Sequence, residues 1–130
     1  MTHKSTITLA ALLGFIGIGL GAFGAHALHD QLTANGTLAA WETAVQYHML
    51  HVVGMLFLGI WMRIKISIRR IQKVVYLWLV GILLFSGSLY LIGLGVPSSS
   101  IWFITPIGGA MLMLGWLMIV PAAVGGPSEH

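Results

Sequence analysis

Four apolar runs, each about as long as a bilayer is thick, constrain this chain more than any other feature. They extend over residues 7–28, 44–62, 74–95 and 101–120 of a 130-residue sequence. A spanning helix needs about 20 apolar residues. Within the hydrocarbon every backbone polar group must be satisfied inside its own segment, so consecutive long runs fold as helices. The expected fold is all-α, a four-transmembrane-helix bundle in one transmembrane domain, residues 1–130. Composition agrees: 58% of the residues are hydrophobic and 7% charged, against about 25% charged in a soluble domain. The first run follows Lys4 and ends near the small-residue triplet Ala25-His26-Ala27, as a secretory signal would. It is longer than the roughly 7–15 residues of a signal core and reads as a retained helix.

Five of the six basic residues, Arg63, Lys65, Arg69, Arg70 and Lys73, fall between the second and third runs. Such a cluster is the signature of a cytoplasmic loop. With an even number of spans, both termini are then cytoplasmic, and Asp30, Glu42 and the turn 96–100 face outside. A net charge of +3 confined to one loop lacks the broad basic face that nucleic acid requires, so no nucleic-acid partner is expected. The absence of cysteine removes thiolate metal sites and cysteine nucleophiles.

Within the first run Ala10, Gly14, Gly17, Gly21 and Gly24 recur at spacings of four, three, four and three. Small residues on one stripe let helices approach closely in lipid. This predicts a tight seam, either within the chain or between copies. After a polar break at 29–36, Leu38, Trp41 and Val45 share a face, with Thr37 as a potential cap. A short interfacial amphipathic helix over 37–43 is expected between helices 1 and 2, with Trp41 and Tyr47 at headgroup depth. Pro121 should stop the fourth span, and Gly125-Gly126-Pro127 should begin a tail.

The remaining polar residues concentrate toward the outer half of the four spans. His48 and His51 lie three apart on one helix face, and His26 ends the first run. Ser86, Ser88 and Tyr90 lie toward the outer end of the third run and Thr105 near the start of the fourth, with Glu42 and Tyr47 nearby. A pocket lined by His26, His48, His51 and Tyr90, with Glu42 at its mouth, is one possible outcome. Intramembrane ionisable residues face the bundle interior and are candidates for function. Three readings follow: a site for a metal or haem, a proton or small-solute path in an oligomer, or hydrogen-bonded ties that fix helix register. The last is the plainest. No phosphate loop, HExxH or nucleophile triad is present, so no enzyme is expected. The leading reading is a packing or accessory component that associates with itself or with a larger membrane complex.

Four motifs bring a family resemblance. They are Gly21-Ala22-Phe23-Gly24-Ala25-His26; Trp41, Thr43, Val45, Tyr47 and His51 at their spacing; Leu84-Phe85-Ser86-Gly87-Ser88-Leu89-Tyr90; and Thr105-Pro106-Ile107-Gly108-Gly109 with Gly115-Trp116. In this order they resemble the YgdD/YwdK-type family of small bacterial inner-membrane proteins of uncharacterised function, over nearly the whole chain. The resemblance implies a four-helix inner-membrane protein whose signature includes His26, Tyr47, His51, Ser86 and Tyr90. His48 lies outside that signature. The resemblance supplies no activity.

Overall fold

A computed structural model of the chain describes residues 1–64 and 68–124. Lys65 of the basic cluster and the tail at 125–127 lie outside the described residues. The helices are α1 (His3–Ala25), α2 (His29–Ala34), α3 (Leu38–Trp61), α4 (Ile68–Gly81), α5 (Gly87–Gly93), α6 (Ser98–Ile101) and α7 (Ile104–Val124). A 3-10 turn, Met62–Ile64, extends α3, and a π-helical segment, Ile82–Ser86, joins α4 to α5. Four of these units are long and apolar enough to cross a membrane: His3–Ala25, Leu38–Ile64, Ile68–Gly93 and Ile104–Val124.

Local chemistry sets the ends. Thr2 and Ser5 cap α1 reciprocally: the Ser5 amide donates to Thr2 Oγ1 at 3.2 Å, and the Thr2 amide to Ser5 Oγ at 2.8 Å. Gly36, at φ 67°, and Gly95, at φ 107°, make the left-handed turns after α2 and α5. Pro106 lies in the first turn of α7, where its missing N–H removes no helical bond.

Several boundaries differ from the sequence expectation. The short amphipathic helix between the first two spans is α2, which buries Leu32 and exposes His29, Asp30 and Gln31. Residues 38–43 instead continue into the second span as one helix. Within it Trp41 is buried against α1. Thr37 occupies the cap position but donates its hydroxyl to the Gly93 carbonyl at 3.2 Å. The third span begins at Ile68, so Arg69, Arg70 and Lys73 ride on helix rather than loop. Pro121 does not end α7, which reaches Val124. The Pro121 carbonyl accepts from Arg70 Nη1 at 2.8 Å, tying that last turn to α4.

α1 packs along α3, α3 along the π segment and α5, and α4 with the π segment along α7. The α1–α3 seam runs antiparallel, and small residues meet large ones in sequence. Gly24 abuts Trp41, Gly21 Val45, Gly17 Met49 and His48, and Gly14 Val52. The small-residue stripe therefore closes on α3 of the same chain. Tryptophans wedge the other contacts. Trp41 lies between Gly24 of α1 and Gly93 of α5, and Trp78 of α4 between Gly54 of α3 and Gly115 of α7. Each indole N–H donates to a backbone carbonyl of the facing helix, Trp41 to Leu20 at 2.9 Å and Trp78 to Leu112 at 3.2 Å. A buried indole in lipid needs such an acceptor.

Candidate functional site

The polar residues of the bundle interior gather on α3 and reach every other span. His51 lies at the midpoint of the Leu38–Ile64 span and is 2% exposed; His48, one turn nearer the start of α3, is 3% exposed. His48 Nε2 donates to the Leu13 carbonyl of α1 at 2.9 Å, because a carbonyl can only accept. Its Nδ1 lies 3.0 Å from the Tyr90 hydroxyl of α5 and, in the neutral ring, accepts that proton. One imidazole thus joins three helices. The tyrosine ring in turn meets Trp41 edge-on, with centroids 4.9 Å apart.

His51 carries the opposite tautomer. Its Nδ1 donates to the Tyr47 carbonyl one turn back at 2.7 Å, and its Nε2 accepts from Trp116 Nε1 of α7 at 3.0 Å. Since an indole can only donate, His51 Nε2 holds a lone pair and the ring is neutral. Aromatic rings enclose it: Trp78 at 5.2 Å and Trp116 at 6.0 Å meet it edge-on, and Tyr47 stacks at 6.4 Å.

The hydroxyl groups act in the same way. Ser86, in the π segment, donates to the Ala44 carbonyl of α3 at 2.8 Å. Ser88 Oγ lies 2.6 Å from Thr105 Oγ1 of α7 and 2.9 Å from the Phe85 carbonyl. The bulge coincides with a close backbone approach, where Gly108 of α7 faces the peptide between Leu84 and Phe85.

Not every expected residue joins this network. His26 is exposed and lines a shallow groove with Gly19, Ala22, Phe23 and Ala27. Glu42 is exposed on the rim of a cleft of about 230 Å³ between α1 and α3, beside Gln46 and above Gly21, Gly24 and Ala25. Tyr47 is 41% exposed, its ring against Phe85 at 4.9 Å. The expected pocket of His26, His48, His51 and Tyr90 with Glu42 at its mouth does not form. His26 and Glu42 are exposed, whereas His48 and His51 are buried in the bundle interior.

Three participants were missed: Trp78, Trp116 and the Leu13 carbonyl. The indoles had a signal, since each lies deep in an apolar run where its N–H must find an acceptor. The carbonyl had none. Among the described residues no three His, Asp or Glu side chains are grouped to hold a metal. Both nitrogens of His48 and of His51 are already hydrogen-bonded, so neither offers a vacant lone pair to a metal or haem iron.

The chain was compared with known proteins. The family model described as "Protein of unknown function (DUF423)" matches residues 20–109. UPF0382 membrane protein YwdK of Bacillus subtilis is 42% identical over 122 residues, covering 93% of this chain and 97% of the relative. UPF0382 inner membrane protein YgdD of Escherichia coli K12 is 37% identical over 126 residues, covering 95% and 92%. UPF0382 membrane protein SSP2132 of Staphylococcus saprophyticus is 44% identical over 117 residues, covering 90% and 94%. No solved structure matches the chain. A match over most of the chain at these identities, on a helical bundle with four helices long and apolar enough to cross a membrane, places the chain in the DUF423 (UPF0382) family of membrane proteins.

Proposed function

We propose that the chain is a non-enzymatic component of the bacterial inner membrane, a pre-formed four-helix unit that associates with itself or with a larger membrane complex. In this reading both termini face the cytoplasm, because the basic residues of 63–73 hold that end inside. The observation that carries it is the complete engagement of the buried histidines. His48 and His51 use all four ring nitrogens on partners within the chain, so they act as ties between helices rather than as ligands. Ser86, Ser88, Thr105 and Tyr90 do likewise.

The surface for association is not the Gly14–Gly24 stripe, which α3 already covers. The cleft beside Glu42 and Gln46 is the better candidate, since these polar side chains stand at a lipid-facing seam without a hydrogen-bond partner among the described residues. Protein purified untagged in mild detergent tests both halves of the reading. The expected sample is colourless, holds no stoichiometric metal, and elutes as an oligomer or with a partner. A haem band or stoichiometric metal that His51→Ala abolishes would replace the structural reading with a cofactor site. A strict monomer with no co-purifying protein would count against association.

A further inference from the structure

Among the described residues the basic and the acidic side chains lie at opposite ends of the bundle. Lys4, Arg63, Arg69, Arg70 and Lys73 are all exposed near the start of α1, the end of α3 and the start of α4. Asp30 and Glu42 lie at the other end, and the one ion pair among the described residues, His29 with Asp30 at 3.7 Å, is there too. The basic end has no countercharge of its own among the described residues.

On α4 this charge is ordered. Ile71, Val74, Val75 and Trp78 are buried, which leaves Arg69, Gln72, Lys73 and Tyr76 as a stripe at helical spacings of three, one and three. Gln72 Nε2 donates to the Met1 carbonyl at 2.7 Å, and the Met1 ammonium donates to the Tyr76 hydroxyl at 3.2 Å. These two residues hold the start of α1 against α4. Arg70, off the stripe, is tied to Pro121. Arg69 and Lys73 are left, about 6 Å apart along the axis, with no protein partner among the described residues. Tyr76, 48% exposed, suits the boundary between hydrocarbon and headgroup one turn deeper. Two free cations directly above an aromatic boundary residue stand at the depth of a phospholipid phosphate.

We infer that Arg69 and Lys73 form a headgroup site for an anionic phospholipid of the phosphatidylglycerol type, in the leaflet that meets the basic end. The ordering of charge favours a lipid over a soluble anion, because α4 presents the cations at the edge of the apolar belt. The site does not depend on which face of the membrane that end occupies.

Native mass spectrometry of the full chain in mild detergent, titrated with phosphatidylglycerol or phosphatidylcholine of the same acyl chains, tests this. Basic residues near an anionic surface contribute about fivefold each in affinity, so the R69Q/K73Q double variant should bind phosphatidylglycerol about 30-fold more weakly. The charge-conserving R69K/K73R variant should keep at least half of the wild-type affinity. Both positions are exposed, and unchanged elution confirms an intact bundle. Equal retention of phosphatidylcholine, or undiminished phosphatidylglycerol binding by R69Q/K73Q, would overturn the inference. So would loss of binding in R69K/K73R, or displacement of the lipid by millimolar inorganic phosphate, which would mark a site for soluble anions.

Discussion

Gly108→Ala is the substitution that this packing tolerates least for its size. The added Cβ would stand 2.8 Å from the Leu84 carbonyl carbon and from Phe85 Cα, and closer still to the Phe85 nitrogen. Carbon atoms attract best at about 3.5–4.0 Å. All three obstacles are backbone atoms of the π segment, so no rotamer change relieves them. Either α7 moves away by several tenths of an ångström or the bulge reorganises. Overpacking of this kind costs about 1–3 kcal/mol. The neighbouring position supplies the control. At Gly109 the new Cβ would meet Phe85 Cδ2 at 3.4 Å, an ordinary contact, and alanine gains up to about 1 kcal/mol of helix propensity over glycine. Reversible unfolding in mixed detergent micelles should rank Gly109→Ala at or above wild type. It should rank Gly108→Ala lower by at least about 1 kcal/mol. Equal stability of the two variants would show that α7 does not approach the π segment as described.

Three further substitutions probe the ties themselves. Trp116→Phe keeps an aromatic wall for His51 but removes the donor to its Nε2; the expected loss is about 1 kcal/mol in the same assay, within the range for interhelical hydrogen bonds in membranes. Ser88→Ala and Thr105→Val should couple in a double-mutant cycle by about 0.6 kcal/mol, and strict additivity would place the two hydroxyls out of contact.

The four spans were legible because length and apolarity alone dictate a spanning helix. The stripe from Gly14 to Gly24 was legible as a seam, and its partner was written in the same chain. Trp41, Val45, His48 and Val52 repeat at spacings of four, three and four, the reverse complement of Gly24, Gly21, Gly17 and Gly14. Residues 38–61 form one continuous α3, with the Trp41 indole packed between Gly24 and Gly93, so the expected boundary at residue 43 is absent.

Of the expected polar cluster, His48, His51, Ser86, Ser88, Tyr90 and Thr105 make side-chain contacts across helices. His26 and Glu42 were grouped with them by charge and by end of the bundle, properties that do not fix direction. The π segment was illegible. It depends on Gly108 meeting the third span at one point, and the local sequence Ile82–Ser86 is as helical as its flanks. The acceptors for His48, for His51 and for the indoles of Trp41 and Trp78 are backbone carbonyls, which every residue carries, so no residue type reveals them.

The central claim, that the buried histidines are neutral ties with opposite tautomers, is tested most directly by nitrogen-15 NMR of histidine-labelled protein in detergent, with and without excess zinc. The expected spectrum places a proton on Nε2 of His48 and on Nδ1 of His51, assigned through His48→Asn and His51→Asn, with neither ring shifted by metal. A shared tautomer, a protonated His51, or metal-induced shifts at either residue would contradict the account.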